Sequence, residues 1–142
     1  SPSTEQIELG DYLTTLFKEV IEVISNGMLI KLNINIPVIR VSSKSAANLG
    51  IIFNELITNS IKYAFGPTTS PQIILDGYII DDKLMLDYKD NGVGLSENFN
   101  FNSTSSFGMT VIKELTKSLS GEIKVVPVDN GTFFQIKIPV EC

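Results

Sequence analysis

Asn54-Glu55-Leu56-Ile57-Thr58-Asn59-Ser60-Ile61-Lys62-Tyr63 sets polar side chains into an apolar run at helical spacing. Glu55, Asn59, Lys62 and Tyr63 fall at i, i+4, i+7 and i+8, so an α-helix carries all four on one face. Ile52, Phe53, Leu56 and Ile57 form the opposite, core-facing stripe. A carboxylate, an amide oxygen and an ammonium on successive turns suit a magnesium-triphosphate group. Magnesium takes hard oxygen ligands, and a nearby cation offsets phosphate charge. The same four residues also suit an ordinary solvated helix face, and this run alone leaves both readings open.

Working outward, the helix covers roughly residues 44–64, with Ser42-Ser43 as its N-cap and Gly66-Pro67 as its stop. Upstream, Leu9, Tyr12, Leu13, Leu16, Phe17, Val20 and Ile24 recur at three- and four-residue spacing and predict a first helix over 7–24. Ser25-Asn26-Gly27 ends it. Strict alternation over 30–36 predicts a half-buried strand stopped by Pro37, and residues 38–41 form a second short extended piece.

Downstream, two alternating stretches, 72–80 and 83–89, are separated only by Asp81-Asp82 and predict an antiparallel hairpin. The polar stretch 96–106, with Phe99 and Phe101 embedded in it, reads as a mobile loop. A third helix follows over 107–119, then strands over 122–126 and 132–140 joined at Asp129-Asn130-Gly131. This order predicts an α+β fold, with about three helices on one face of a mixed, largely antiparallel sheet.

Three further stretches have the makings of a site. Asp90-Asn91-Gly92-Val93-Gly94 follows a strand. Its glycines permit a sharp turn and close approach to a ligand, and its carboxylate can accept a hydrogen bond from an exocyclic amine. Asp-Asn-Gly is equally ordinary turn chemistry. Ser106-Phe107-Gly108-Met109 opens the third helix, where free N–H groups can meet an anion, or where Ser105 or Ser106 simply caps. Gly131-Thr132-Phe133 enters the last strand and by itself is a hairpin turn.

Composition narrows the field. The 142 residues are 43% hydrophobic and 19% charged, enough for one core, so a single domain over 1–142 is expected. A net charge of −5 argues against a nucleic-acid partner. No apolar run approaches the ~20 residues that span a bilayer, so no direct membrane contact is expected. The lone Cys142 suits a cytoplasmic setting. The chain contains no histidine, so no imidazole base, histidine metal ligand or phosphohistidine can come from it.

In their order and spacing, the four stretches resemble the GHKL superfamily of ATPases: gyrase, the heat-shock chaperone, histidine kinases and MutL. Glu55 to Lys62 looks like the N box, Asp90 to Gly94 like the G1 box, and Gly108 with its neighbours like the G2 box. The likeness spans nearly the whole chain. It is nearest to the catalytic and ATP-binding domain of bacterial sensor histidine kinases, and Asn54 to Phe65 looks like the HWE branch.

The resemblance implies the Bergerat fold, a two-layer α/β sandwich with a left-handed βαβ unit that holds ATP beneath a lid. It implies that Asp90 takes the adenine amine while Gly92 and Gly94 shape the pocket. Asn59 would bind Mg2+, Lys62 would lie near a phosphate and Tyr63 beside the nucleotide. Gly108 and Met109 would meet the phosphates, and Thr132 would back the adenine. Glu55 matches the water-activating glutamate of hydrolysing relatives, and in the kinases would orient the metal or the attacking imidazole.

Two departures stand out. The G2 segment has one glycine where many kinases have two or three, and residues 95–107 hold no Lys or Arg, leaving Lys62 as the main cation. The expected function is donation of the ATP γ-phosphate to a histidine on a dimerisation domain of the same parent protein, with a response regulator downstream. Hydrolysis, an anti-sigma-type serine kinase, or a non-catalytic nucleotide-binding docking module are the alternatives.

Overall fold

A computed structural model of the chain describes residues 5–66, 70–95 and 107–141. In chain order its elements are β1 (Gln6–Glu8), α1 (Leu9–Ile24), β2 (Lys31–Asn35), β3 (Arg40–Ser42), α2 (Ser43–Asn59), a π-helical turn (Ser60–Ala64), β4 (Gln72–Ile80), β5 (Lys83–Asp90), α3 (Phe107–Ser118), β6 (Glu122–Val125) and β7 (Thr132–Pro139). The polar stretch 96–106, with Phe99, Phe101, Ser105 and Ser106, lies outside the described residues.

The start of α1 differs from the sequence expectation. Ile7 is in phase with the apolar stripe, yet it lies in β1, where it pairs with Val41 of β3. Glu8 is still extended and caps the helix, its carboxylate accepting from the N–H groups of Gly10 at 3.1 Å and Asp11 at 2.8 Å. The α2 cap is Ser42, whose Oγ accepts from the Ser45 N–H at 3.1 Å. At the tip of the β4–β5 hairpin, Asp81 and Asp82 both have positive φ, as a two-residue turn matched to strand twist requires.

The main sheet runs β2-β4-β5-β7-β6. The β2–β4 pair is parallel and the others are antiparallel. Three helices pack against this sheet, as expected. Strand alternation sends Leu84, Leu86, Tyr88 and Asp90 of β5 into the buried layer beneath them. At the centre, the rings of Phe17 from α1, Phe53 from α2 and Tyr88 from β5 pack with centroids 5.4 to 6.3 Å apart. Burying each such side chain is worth about 1.5–3 kcal/mol. This cluster fixes where α2 lies over the end of β5, and the candidate site grows from that junction.

Candidate functional site

Asp90 is the last residue of β5, held by the ladder on both sides: it pairs with Ile73 of β4 and with Thr132 of β7. Only 8% of it is exposed. Its Oδ2 accepts from Ser60 Oγ at 2.6 Å, and its Oδ1 accepts from the Gly92 N–H at 3.0 Å. Ser60 Oγ lies 2.6 Å from the Tyr88 hydroxyl, which also reaches the Leu56 carbonyl at 3.2 Å. Burial pushes the Tyr88 hydroxyl far above its ordinary range, so it remains a protonated donor.

Ser60 stands where α2 stops being α-helical. Its N–H is shared between the Leu56 and Ile57 carbonyls, and its own carbonyl accepts from Phe65 N–H at 3.1 Å, five residues on. The π-turn closes the C-terminal end of α2, where such turns occur. Of the polar set, Glu55 and Asn59 lie in α2 itself, and Lys62 and Tyr63 lie in the π-helical turn that follows it. Both are exposed, Tyr63 by 73%, while Ser60, Ile61 and Ala64 are buried.

The glycines of the loop after β5 are set by close backbone approach. A Cβ at Gly92 would fall 2.7 Å from the Ala64 carbonyl carbon, against which the loop is pinned by Val93 N–H to Ala64 O at 3.0 Å. Gly94 has φ +85°, and a Cβ there would meet the Gly131 carbonyl at 2.8 Å. Asp90, Gly92, Gly94 and Thr132 are thereby gathered beside Ser60 and Ala64 at one end of α2. Thr132 is itself buried.

About one turn back along α2, Gly108, the second residue of α3, lies against Glu55: a Cβ on it would stand 2.5 Å from Oε2. Met109 is buried beside it. Asn59 lies one turn of α2, about 6 Å, from Glu55 and next to Ser60, so it stands between the two groups.

Ser60 and Tyr88 were absent from the sequence-derived set. Tyr88 was within reach, since a residue two before Asp90 on a strand shares its face. Nothing local marks Ser60 as its partner.

The oxygen donors bear on magnesium. Among the described residues, no group of three or more His, Cys, Asp or Glu is placed to hold a metal. Glu55 and Asn59 offer one carboxylate and one amide oxygen. A sparse hard-oxygen set fits Mg2+, which usually keeps waters and substrate phosphates as ligands.

A glycine loop at a strand end with a fixed carboxylate, facing a polar helix turn and the start of a second helix, defines a GHKL-type ATPase fold. Residues 45–141 match the family described as Histidine kinase-, DNA gyrase B-, and HSP90-like ATPase, and the chain belongs to it. Blue-light-activated histidine kinase 2 of Erythrobacter litoralis (strain HTCC2594) is 25% identical over 135 residues, which are 94% of this chain and 39% of that protein. Sensor histidine kinase ComP of Bacillus subtilis (strain 168) is 28% identical over 97 residues, 68% of this chain and 12% of ComP. The chain therefore spans well under half the length of these relatives.

Among solved structures, the histidine kinase domain from Erythrobacter litoralis EL346 superposes with a TM-score of 0.86 at 24% identity, covering 99% of this chain and 65% of that one. The mycobacterial sensor histidine kinase MprB superposes at 0.73 with 18% identity, covering 96% and 98%. At these identities the likeness shows the fold. No helix among the described residues is long and apolar enough to cross a membrane.

Proposed function

We propose that this chain, as one domain over 1–142, is the cytoplasmic ATP-binding, phosphoryl-donating part of a sensor histidine kinase whose parent protein is free to be anchored in a membrane elsewhere. The observation that carries the reading is Asp90, a buried carboxylate fixed from both oxygens at a strand end, with Glu55 and Asn59 farther along the facing helix. An acceptor held this way suits the exocyclic amine of adenine, with Gly92, Gly94 and Thr132 around the base and Tyr63 beside the nucleotide. Asn59 holds Mg2+, which when bound neutralises phosphate charge. Lys62 adds a cation, and Gly108 and Met109 meet the phosphates at the start of α3, an end that favours anions.

With no histidine in the chain, the acceptor is an imidazole on a dimerisation domain of the same parent protein. The bond from the γ-phosphorus to the β,γ-bridging oxygen breaks as the bond to the imidazole nitrogen forms, and ADP leaves. The chain contributes positioning and electrostatics, the main needs of phosphoryl transfer. A response regulator then receives the phosphoryl group.

Calorimetric titration with ATP and ADP, with and without Mg2+, tests the reading. The expected result is adenine-nucleotide binding that weakens by about 10–100-fold in Asp90→Asn, the scale of a hydrogen bond to a charged group. No binding at millimolar nucleotide overturns it.

The contact between Glu55 and the start of α3 favours a second reading. There Glu55 is a general base for hydrolysis or for an anti-sigma-type serine kinase. Steady ATP turnover by the isolated chain, abolished in Glu55→Ala, selects it.

A further inference from the structure

A hydroxyl on a helix has a default partner, the carbonyl four residues back. Thr116 of α3 shows this within the same molecule, its Oγ1 donating to the Ile112 carbonyl at 2.7 Å. The corresponding carbonyl for Ser60 is that of Leu56, and Ser60 does not take it. The Tyr88 hydroxyl reaches that carbonyl instead at 3.2 Å and stands 2.6 Å from Ser60 Oγ. Ser60 turns to Asp90, donating to Oδ2 at 2.6 Å.

We propose that Ser60 and Tyr88 are positioning residues that set the base selectivity of the nucleotide pocket, with Tyr88 forcing the single Ser60 proton onto Asp90. The inference rests on the reading above, that Asp90 meets the base.

The direction of the series follows from proton counting. Asp90 as a carboxylate only accepts. Ser60 has one proton and gives it to Asp90, so at the 2.6 Å contact Ser60 Oγ can only accept, and Tyr88 must donate. The proton of Tyr88 is then directed at Ser60 Oγ and the Leu56 carbonyl, and neither hydroxyl can reverse. All three side chains are buried, where a hydrogen bond is stronger than in water and its loss more costly.

With the Gly92 N–H on the other oxygen, the carboxylate is clamped at both ends. A clamped acceptor discriminates sharply. A base edge that donates an amine is bound, and one that offers a carbonyl leaves two acceptors facing each other. A carboxylate free to turn would discriminate less.

The test compares ATP with inosine triphosphate, which carries a carbonyl where adenine carries its amine. Dissociation constants for both are measured on the wild-type chain, Ser60→Ala, Tyr88→Phe and the double variant, with thermal unfolding to confirm that each folds. Tyr88→Phe removes a single oxygen from the core and keeps the test open if Ser60→Ala does not fold.

The expected result is a fall of about five- to tenfold in the ratio of the two constants for each single variant. In Tyr88→Phe the freed serine returns to the Leu56 carbonyl. The double variant falls no further than Ser60→Ala, because both substitutions break one series. A purely structural role would weaken both nucleotides equally and leave the ratio unchanged, which overturns the inference. Additive losses in the double variant overturn the directing role of Tyr88. A wild-type chain that binds neither nucleotide overturns the functional reading and this inference with it. Selective wild-type binding with an unchanged ratio in the variants overturns this inference alone.

Discussion

Gly108 and Glu55 meet across two helices, and the glycine is there for space. A methyl group on Gly108 would stand 2.5 Å from Glu55 Oε2, the far end of a flexible side chain. Gly108→Ala therefore costs the fold little, and alanine in a helix gains up to about 1 kcal/mol over glycine. The carboxylate, however, must swing away from the start of α3. The expected outcome is a thermal midpoint unchanged or slightly raised, with phosphoryl transfer to a supplied acceptor domain reduced about tenfold, the scale of a misplaced catalytic group. Unaltered transfer would show that the position of Glu55 is immaterial. At this scale the sequence named Glu55 and Gly108 separately but not their contact, which lies between residues far apart in the chain. Ser60 escaped for the same reason. Its polar partner stands on another element, and only the register of α2 over β5 brings Ser60 Oγ to Asp90.

The entry to α1 shows what an element takes from its ends. Glu8 is held below its ordinary carboxylate range first by the Asp11 N–H, then by the Gly10 N–H and the charge of Arg40, with burial opposing. A carboxyl whose pKa is lowered on folding contributes stability above its unfolded value of 4.5, and loses it as pH falls through the lowered value. Asp11 has the opposite sign. The neighbouring Glu8 carboxylate raises its pKa, so its ionisation on going to neutral pH subtracts from the gain of the cap. Glu8→Ala should cost about 1 kcal/mol at pH 7, the usual scale for a helix cap. Chemical denaturation at neutral pH, repeated well below pH 4.5, checks this, and the two proteins should converge in acid. A difference that persists in acid would assign the loss to packing of the Glu8 stem. The sequence placed this helix two residues early because Ile7 keeps the apolar phase. A three-residue strand carries too little alternation to announce itself, and its partner Arg40–Ser42 is remote in the chain. The hairpin and the three helices were legible because their signals are local: a two-residue Asp-Asp turn, serine caps and apolar stripes. The π-turn at Ser60 was not, since Ile57 and Ile61 keep α-helical spacing straight through it.

Across the whole molecule, Tyr88 belongs to two structures at once. Its ring completes the core cluster with Phe17 and Phe53, and its hydroxyl begins the polar series that ends on Asp90. The mixed order of the sheet matters because it places β5 between β4 and β7, so the carboxylate stands on the best-supported strand end. The sequence foretold such a sheet from its hairpins, though not which strand would lie at the middle. Binding and folding are then linked through one strand, and their free energies can be separated by mutation. Mg-ATP at 100 times its Kd should stabilise the native chain by about 2.7 kcal/mol, a rise of roughly 8–10 °C in the thermal midpoint of a domain this size. Phe53→Leu touches only the apolar side of the cluster. It should lower the nucleotide-free midpoint by several degrees, about 1–2 kcal/mol, while keeping the full increment from nucleotide. Asp90→Asn should instead cut the increment, to about 0.4–1.4 kcal/mol at the same nucleotide concentration for a 10–100-fold weaker Kd, and its amide, turned toward one of the two donors, should lower the nucleotide-free midpoint as well. Thermal unfolding of the three proteins with and without Mg-ATP measures both quantities in one experiment. If Phe53→Leu cut the increment as well, the core and the pocket would form a single cooperative unit. Asp90 would then owe its place to the ring cluster rather than to the two hydrogen bonds that hold its carboxylate.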